Sequence, residues 1–166
     1  MMKAFYPTAI RNFMGPVIVL ALFAFGLVSC DSTVIYEENR PIPAAVWKAT
    51  EPAHFEFEVN DTLTLHNFYV NLRNGENYPY SNIYFFIDME FPNGKKSIDT
   101  VECFLADNTG KWLGTGVGDI HDNRFLYQHG KQFPMAGLYK IDIRQGMRVD
   151  QLEGIFDVGF RLSRTK

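Results

Sequence analysis

Ile83-Tyr84-Phe85-Phe86-Ile87-Asp88-Met89-Glu90-Phe91, closed by Pro92-Asn93-Gly94, is the stretch that sets the fold class. Its apolar residues at 83, 85, 87, 89 and 91 fall on one side of a period-two pattern, and Tyr84, Phe86, Asp88 and Glu90 fall on the other. That alternation belongs to a strand with one buried face, and Pro-Asn-Gly is turn chemistry that reverses the chain.

The same period spreads outward in both directions. Phe55, Phe57 and Val59 alternate with Glu56 and Glu58; after the turn residues Asn60-Asp61, Leu63 and Leu65 alternate with Thr62 and Thr64, predicting a second strand. Phe68, Val70 and Leu72 continue in register to Asn74-Gly75, a strong turn signal. Further strands are predicted over 98–105, 125–127, 138–143 and 155–162, each bounded by Gly, Pro, Asn or Asp. Only 147–152 reads as briefly helical. About eight short strands with regular turns, in a chain that is 15% aromatic, predict an all-β antiparallel sandwich of jelly-roll type. Period-two patterning does not determine how a sheet closes, so a barrel stays open.

The first thirty residues obey a different rule. Lys3 and Arg11 precede an apolar run over 13–28 that ends in Leu27-Val28-Ser29-Cys30. A positive n-region and an apolar h-region make a secretory leader, and the last four residues fit a lipobox, in which signal peptidase II cuts between Ser29 and Cys30 after lipid is attached to the thiol. The run is shorter than the roughly 20 residues a membrane-spanning helix needs, and no basic stop-transfer residue follows it. The expected organisation is therefore a signal peptide over 1–29, a lipidated tether over 30–50 and a β-sandwich over 51–166. Pro41 and Pro43 favour extended backbone in the tether. A triacylated Cys30 meets the two-signal requirement for stable anchoring, so the expected partner is the membrane itself.

Removing the leader leaves 137 of the 166 residues, which suffices for one core. The 19 acidic residues then face 14 basic ones, a formal charge of about −5, which disfavours nucleic acid as a partner. With Cys30 lipidated, Cys103 has no disulfide partner. It lies in the alternating run Val101-Glu102-Cys103-Phe104-Leu105, where an inert buried thiol is expected.

Chemistry-bearing residues are present without a catalytic arrangement. The segment from Asp107 through Gly110-Lys111-Trp112-Leu113-Gly114-Thr115-Gly116-Val117-Gly118 to Asp119 is glycine-rich, but no helix pattern follows to present free N–H groups to a phosphate. A glycine-permitted tight loop or bulge is the better reading. Asp119, His121 and Asp122 are metal-ligand types, yet three polar residues on a loop are usually solvated, and His54, His66 and His129 are scattered. Asp88 and Glu90 share a strand face at a spacing of about 7 Å, one a glycosidase uses; an exposed acidic strand explains them more simply. Arg144 is expected to pair with a nearby carboxylate, beside Met147, Arg148 and Asp150. No Ser-His-Asp order with a nucleophile elbow occurs. The expectation is a protein that is not an enzyme, with no metal, cofactor or small-molecule substrate. The alternative is a glycan-binding module, with Tyr78, Tyr80 and Trp112, and Tyr84 beside them, as an aromatic platform; strand aromatics that pack across the sandwich are the plainer account.

Taken in order, a series of short stretches resembles one family. The residues are Trp47; Phe57 with Asp61-Thr62; Leu72-Arg73-Asn74; Tyr78-Pro79-Tyr80-Ser81-Asn82-Ile83; Pro92-Asn93-Gly94; and Asp99-Thr100-Val101-Glu102. They continue through Leu105-Ala106-Asp107, Gly110-Lys111-Trp112-Leu113-Gly114, Gly118-Asp119-Ile120, Gly137-Leu138-Tyr139, Met147-Arg148 and Leu152-Glu153-Gly154-Ile155-Phe156-Asp157-Val158-Gly159. The series resembles the gliding-motility lipoprotein GldH family of the Bacteroidetes; His66-Asn67 departs from it, where an aromatic before the Asn is the pattern. The resemblance implies a non-enzymatic envelope component associated with gliding and the type IX secretion machinery, with other lipoproteins or envelope proteins as partners. It also implies an outer-membrane address. The residues after Cys30 lack the acidic run that accompanies export to the cell surface, so the expected orientation is periplasm-facing.

Overall fold

A computed structural model describes residues 32–165; Ser29 and Cys30, and with them the leader and lipidation site, lie outside the described residues. Ten strands occupy the described chain: β1 (Val34–Pro41), β2 (Val46–Lys48), β3 (Ala53–Val59), β4 (His66–Gly75), β5 (Asn82–Glu90), β6 (Lys96–Phe104), β7 (Ile120–Lys131), β8 (Gly137–Gln145), β9 (Gln151–Glu153) and β10 (Ile155–Arg164). Eight form two four-stranded antiparallel sheets, ordered β1-β10-β4-β7 (the first sheet) and β3-β8-β5-β6 (the second). β2 and β9 form a short pair of their own. Leaving out that pair, chain order runs 1-8-3-6 through one sheet and 2-7-4-5 through the other, the double Greek key of a jelly roll. The expected fold class stands, as two open sheets.

The alternation seen in the sequence produces the core directly. In β3 Ala53, Phe55, Phe57 and Val59 are buried while His54, Glu56 and Glu58 are exposed. The inner faces meet through aromatics: Phe57 stacks on Tyr139 of its own sheet at 5.8 Å and on Phe160 of the opposite sheet at 5.6 Å. Trp47 is enclosed, its indole N–H donating to the Glu51 carbonyl at 2.9 Å. Each such side chain contributes about 1.5–3 kcal/mol on burial, so a few rings dominate the packing. The turn after β5 forms as predicted: Gly94 takes φ +78°, and the N–H of Phe91 reaches the Lys95 carbonyl at 2.8 Å.

Four sequence expectations are corrected. Much of the tether over 30–50 is sheet, because β1 pairs with β10 along most of its length and β2 pairs with β9. An edge strand needs only one apolar side, and a strand that ends at Pro41 has the local pattern of an extended linker. Leu63 and Leu65 are exposed and outside any strand; the Asp61 carboxylate accepts from the N–H groups of Leu63 and Thr64 and from the Thr64 hydroxyl, holding a turn where the alternation promised a strand. The stretch 147–152 is not helical, since Gln145 folds it into a turn by accepting from the Met147 N–H and donating to the Val149 carbonyl. β7 is also far longer than 125–127. Register shifts near Phe68 break its period, and Gly130 adopts φ +60°.

Candidate functional site

The aromatic residues proposed from sequence do not make a flat platform. Tyr78 is buried, its hydroxyl donating to the Asn82 carbonyl at 2.8 Å. Its ring meets Tyr80 at 73° and Trp112 at 55°, so the planes diverge. Trp112 instead stacks on His121 at 5.3 Å and 27°. Burial drives the Tyr78 hydroxyl pKa upward, consistent with a packing role. Tyr84 lies on the outer face of the second sheet, where Tyr80, Tyr84, Gly146, Met147 and Arg148 surround a hollow of about 430 Å³.

The other sequence candidates resolve into local structure. Asp122 pairs with Arg73 at 2.8 Å, and His121, its neighbour on the strand, points toward Trp112; the two do not converge with Asp119. Among the described residues no group of three or more His, Cys, Asp or Glu is placed to hold a metal ion. Asp88 accepts from Arg144 at 2.6 Å across the strands, confirming a carboxylate partner for that arginine, and Glu90 meets Lys96 at 3.1 Å. Cys103 is buried, and desolvation pushes its thiol up to about 12. The glycine-rich segment is a tight loop laid along β7. A Cβ on Gly114 would stand 2.8 Å from Asn123 Oδ1, and one on Gly116 would stand 2.0 Å from the Ile120 carbonyl oxygen. Glycine is needed there for close approach, not for phosphate.

One concave feature was not anticipated. The outer face of the first sheet carries a groove of about 710 Å³. Register arranges its residues in three rungs across the strands. The central rung aligns Asn39, Gly159, Asn71 and Arg124; one neighbour aligns Glu37, Arg161, Tyr69 and Leu126; the other aligns Pro41, Asp157, Arg73 and Asp122. Gly159 makes room for the Asn39 side chain, since a Cβ there would lie 1.8 Å from Asn39 Oδ1. Leu113, Gly114 and Thr115 form a wall beyond β7, anchored by the Thr115–Asp122 bridge, and Phe104 stands at the same end.

Hydrogen bonds tie the groove into a fixed network. Glu37 accepts from Arg124 Nη2 at 2.6 Å, from Asn71 Nδ2 at 3.0 Å and from Arg161. Arg124 Nε in turn donates to Asn71 Oδ1 at 2.9 Å. At the other end Arg73 bridges Asp122 at 2.8 Å and Asp157 at 3.1 Å. Burial raises the Asp157 carboxyl pKa against the pull of Arg73, while the Asp122 hydrogen bond holds the Arg73 guanidinium above its ordinary range. Four strands far apart in sequence supply these groups. The only local flag was Gly159 inside a strand pattern, which signals a close approach. Several stretches quoted for the family resemblance meet here, bringing Arg73, Gly114, Asp157 and Gly159 to one face.

Comparison with known proteins places these features. The profile of a family described as GldH lipoprotein matches residues 34–162. A "Gliding motility lipoprotein GldH homolog" of Christiangramia forsetii is 33% identical over 154 residues, covering 87% of this chain and 94% of its own length. The "Gliding motility lipoprotein GldH" of Flavobacterium johnsoniae is 34% identical over 153 residues, covering 88% and 94%. Among solved structures, one titled "Structure of infectious bursal disease virus Gx strain" overlaps 80% of this chain and 33% of its own, with a TM-score of 0.32 and 14% identity.

Proposed function

We propose, from the premise that this chain belongs to the GldH lipoprotein family, that it is a lipid-anchored, non-enzymatic component of the gliding-motility and type IX secretion machinery that works by docking another envelope protein. Family membership carries the reading. Lipid on Cys30 holds the domain to the outer membrane on its periplasmic side, after signal peptidase II has removed 1–29. With attachment delegated to lipid, the domain needs no apolar surface to stay at the membrane.

The second sheet nonetheless exposes such a surface. Ile98 is 68% exposed, and Phe86, one strand over on the same face, is 36% exposed. Arg144 lies over the Phe86 ring at 5.9 Å, and the hollow between Tyr84 and Met147 continues the strip. Contiguous apolar surface with an aromatic and an arginine at its centre is the composition of a protein interface. This strip is the proposed docking face.

Three measurements test the reading. A deletion strain is expected to lose colony spreading or secretion of exported proteins; normal behaviour in both contradicts it. Metabolically supplied labelled palmitate should mark the wild type and not Cys30→Ala, with label in the outer-membrane fraction; recovery in the inner membrane overturns the address. Ile98→Glu should fail to complement the deletion while accumulating normally, and full complementation removes the strip from the mechanism.

A further inference from the structure

We propose that the groove lined by Asn39, Asn71 and Arg124, on the outer face of the first sheet, binds a neutral polyhydroxylated glycan chain. The inference stands apart from protein docking by the second sheet and uses different residues.

The charges exclude simpler ligands. Arg73 and Arg124 line the groove with Glu37, Asp122 and Asp157, while Arg161, outside the lining, pairs with Glu37; every one of the six is engaged in an ion pair. The network therefore balances to no net charge, and it has no unpaired cation or carboxylate to offer a phosphate, a sulfate or a metal ion. It is not an apolar pocket either, since Asn39 and Asn71 line it beside these charges. Nor can an extended peptide add to the sheet here, because the groove crosses the middle of the face, where the backbone groups of β10 and β4 are already paired on both sides.

What remains is a dense, fixed array of planar donors and acceptors. An ion-paired guanidinium keeps N–H groups beyond those it spends, and a carboxylate has about four acceptor positions. Held rigid by one another, these groups can receive hydroxyls without first paying ordering entropy. Vicinal hydroxyls of a sugar present a donor and an acceptor side by side, which a carboxylate, carboxamide or guanidinium edge matches. At the far end Phe104, 60% exposed, supplies a ring for the apolar face of a sugar. Four strands at about 4.8 Å spacing make the trough a few sugar rings long. A Cβ at 159 would collide with Asn39 Oδ1, so the glycine seats the Asn39 carboxamide among the groups that line the groove.

The full-length lipidated protein, in a detergent without a sugar headgroup, is titrated by calorimetry with four probes. They are chitohexaose, cellohexaose, maltohexaose and anionic hexagalacturonate. Binding of at least one of the first three, weakened tenfold or more in Arg124→Gln and in Asn71→Leu, is expected; which of the three binds identifies the sugar and its linkage. Lys140→Gln on the opposite face should bind like the wild type. Circular dichroism melts confirm that each variant is folded, and Arg124→Gln, altered at an exposed rim, keeps the test usable if Asn71→Leu fails to fold. No binding of the three neutral probes at millimolar concentration overturns the proposal. So does tighter binding of hexagalacturonate, or affinity unchanged in a folded Arg124→Gln.

Discussion

On the outer face of the second sheet Lys96 meets Glu90 with the lysine side chain 65% exposed, whereas on the first sheet Arg161 reaches Glu37 with 12% of its side chain exposed. Both faces consist of strands with charged residues at alternate positions, and from the sequence they look alike. Their settings differ because Leu113, Gly114 and Thr115 wall one face, while among the described residues no loop walls the other. On the second face His54, Glu56, Lys140 and Asp142 form a solvated ladder interrupted by apolar side chains. On the first, the same residue types lock into a network that defines a cavity. The same residue types thus yield an open, solvated face on one side and a groove on the other, according to burial.

Breaking the recessed network should cost most. Arg161→Ala leaves Glu37 partly desolvated with one guanidinium fewer, and a loss of about 3 kcal/mol in urea unfolding is expected, at the lower end for a broken buried pair because Arg124 and Asn71 remain. Lys96→Ala on the other face should cost under about 0.5 kcal/mol. Equal losses would erase the distinction between the faces. Next comes Gly159→Ala, whose methyl collides with Asn39 Oδ1 and lies 2.8 Å from the Glu38 carbonyl oxygen; overpacking of this kind costs about 1–3 kcal/mol. A melting temperature unchanged from wild type would mean that Asn39 moves aside without cost.

A double-mutant cycle sharpens the contrast further. Coupling between Arg73 and Asp157, whose carboxylate is 17% exposed, should be about 1 kcal/mol or more, and coupling between Lys96 and Glu90 about 0.5 kcal/mol or less. The smallest effect is in pH. His54 lies between Asp142 at 2.7 Å and Glu56 at 3.1 Å, and these two carboxylates, Asp142 foremost, raise its pKa. The protonated ring is the stabilised form, so its contribution is complete below the ordinary histidine pKa of about 6.5 and disappears as pH rises through the raised value. Thermal melts across that window should show a small loss in the wild type that is absent in His54→Gln. A drop of the same size in the variant would remove His54 from the account.

Legibility in the sequence followed the range of the interactions. β3, β4, β5 and the turn at Gly94 were readable because their apolar period and turn residues are local. β1 was missed because an edge strand has one partner and β1 carries Glu37, Glu38, Asn39 and Arg40 in a row. Leu63 and Leu65 were misread because Asp61 wins the backbone for a turn, a competition that alternation cannot register. The aromatic platform failed because ring orientation is a tertiary property. The groove was invisible for the strongest reason: its rungs join β1, β10, β4 and β7, and Glu37 lies 124 residues from Arg161. Only register across the sheet brings them together.

Photo-crosslinking in the living cell tests the central claim, that the two outer faces have different partners. A photoreactive amino acid is placed at Ile98 on the second sheet or at Tyr69 beside the groove of the first. The account predicts discrete protein adducts from position 98, lost when Phe86→Glu is added, and no protein adduct from position 69. Protein adducts from 69 with none from 98 would contradict it.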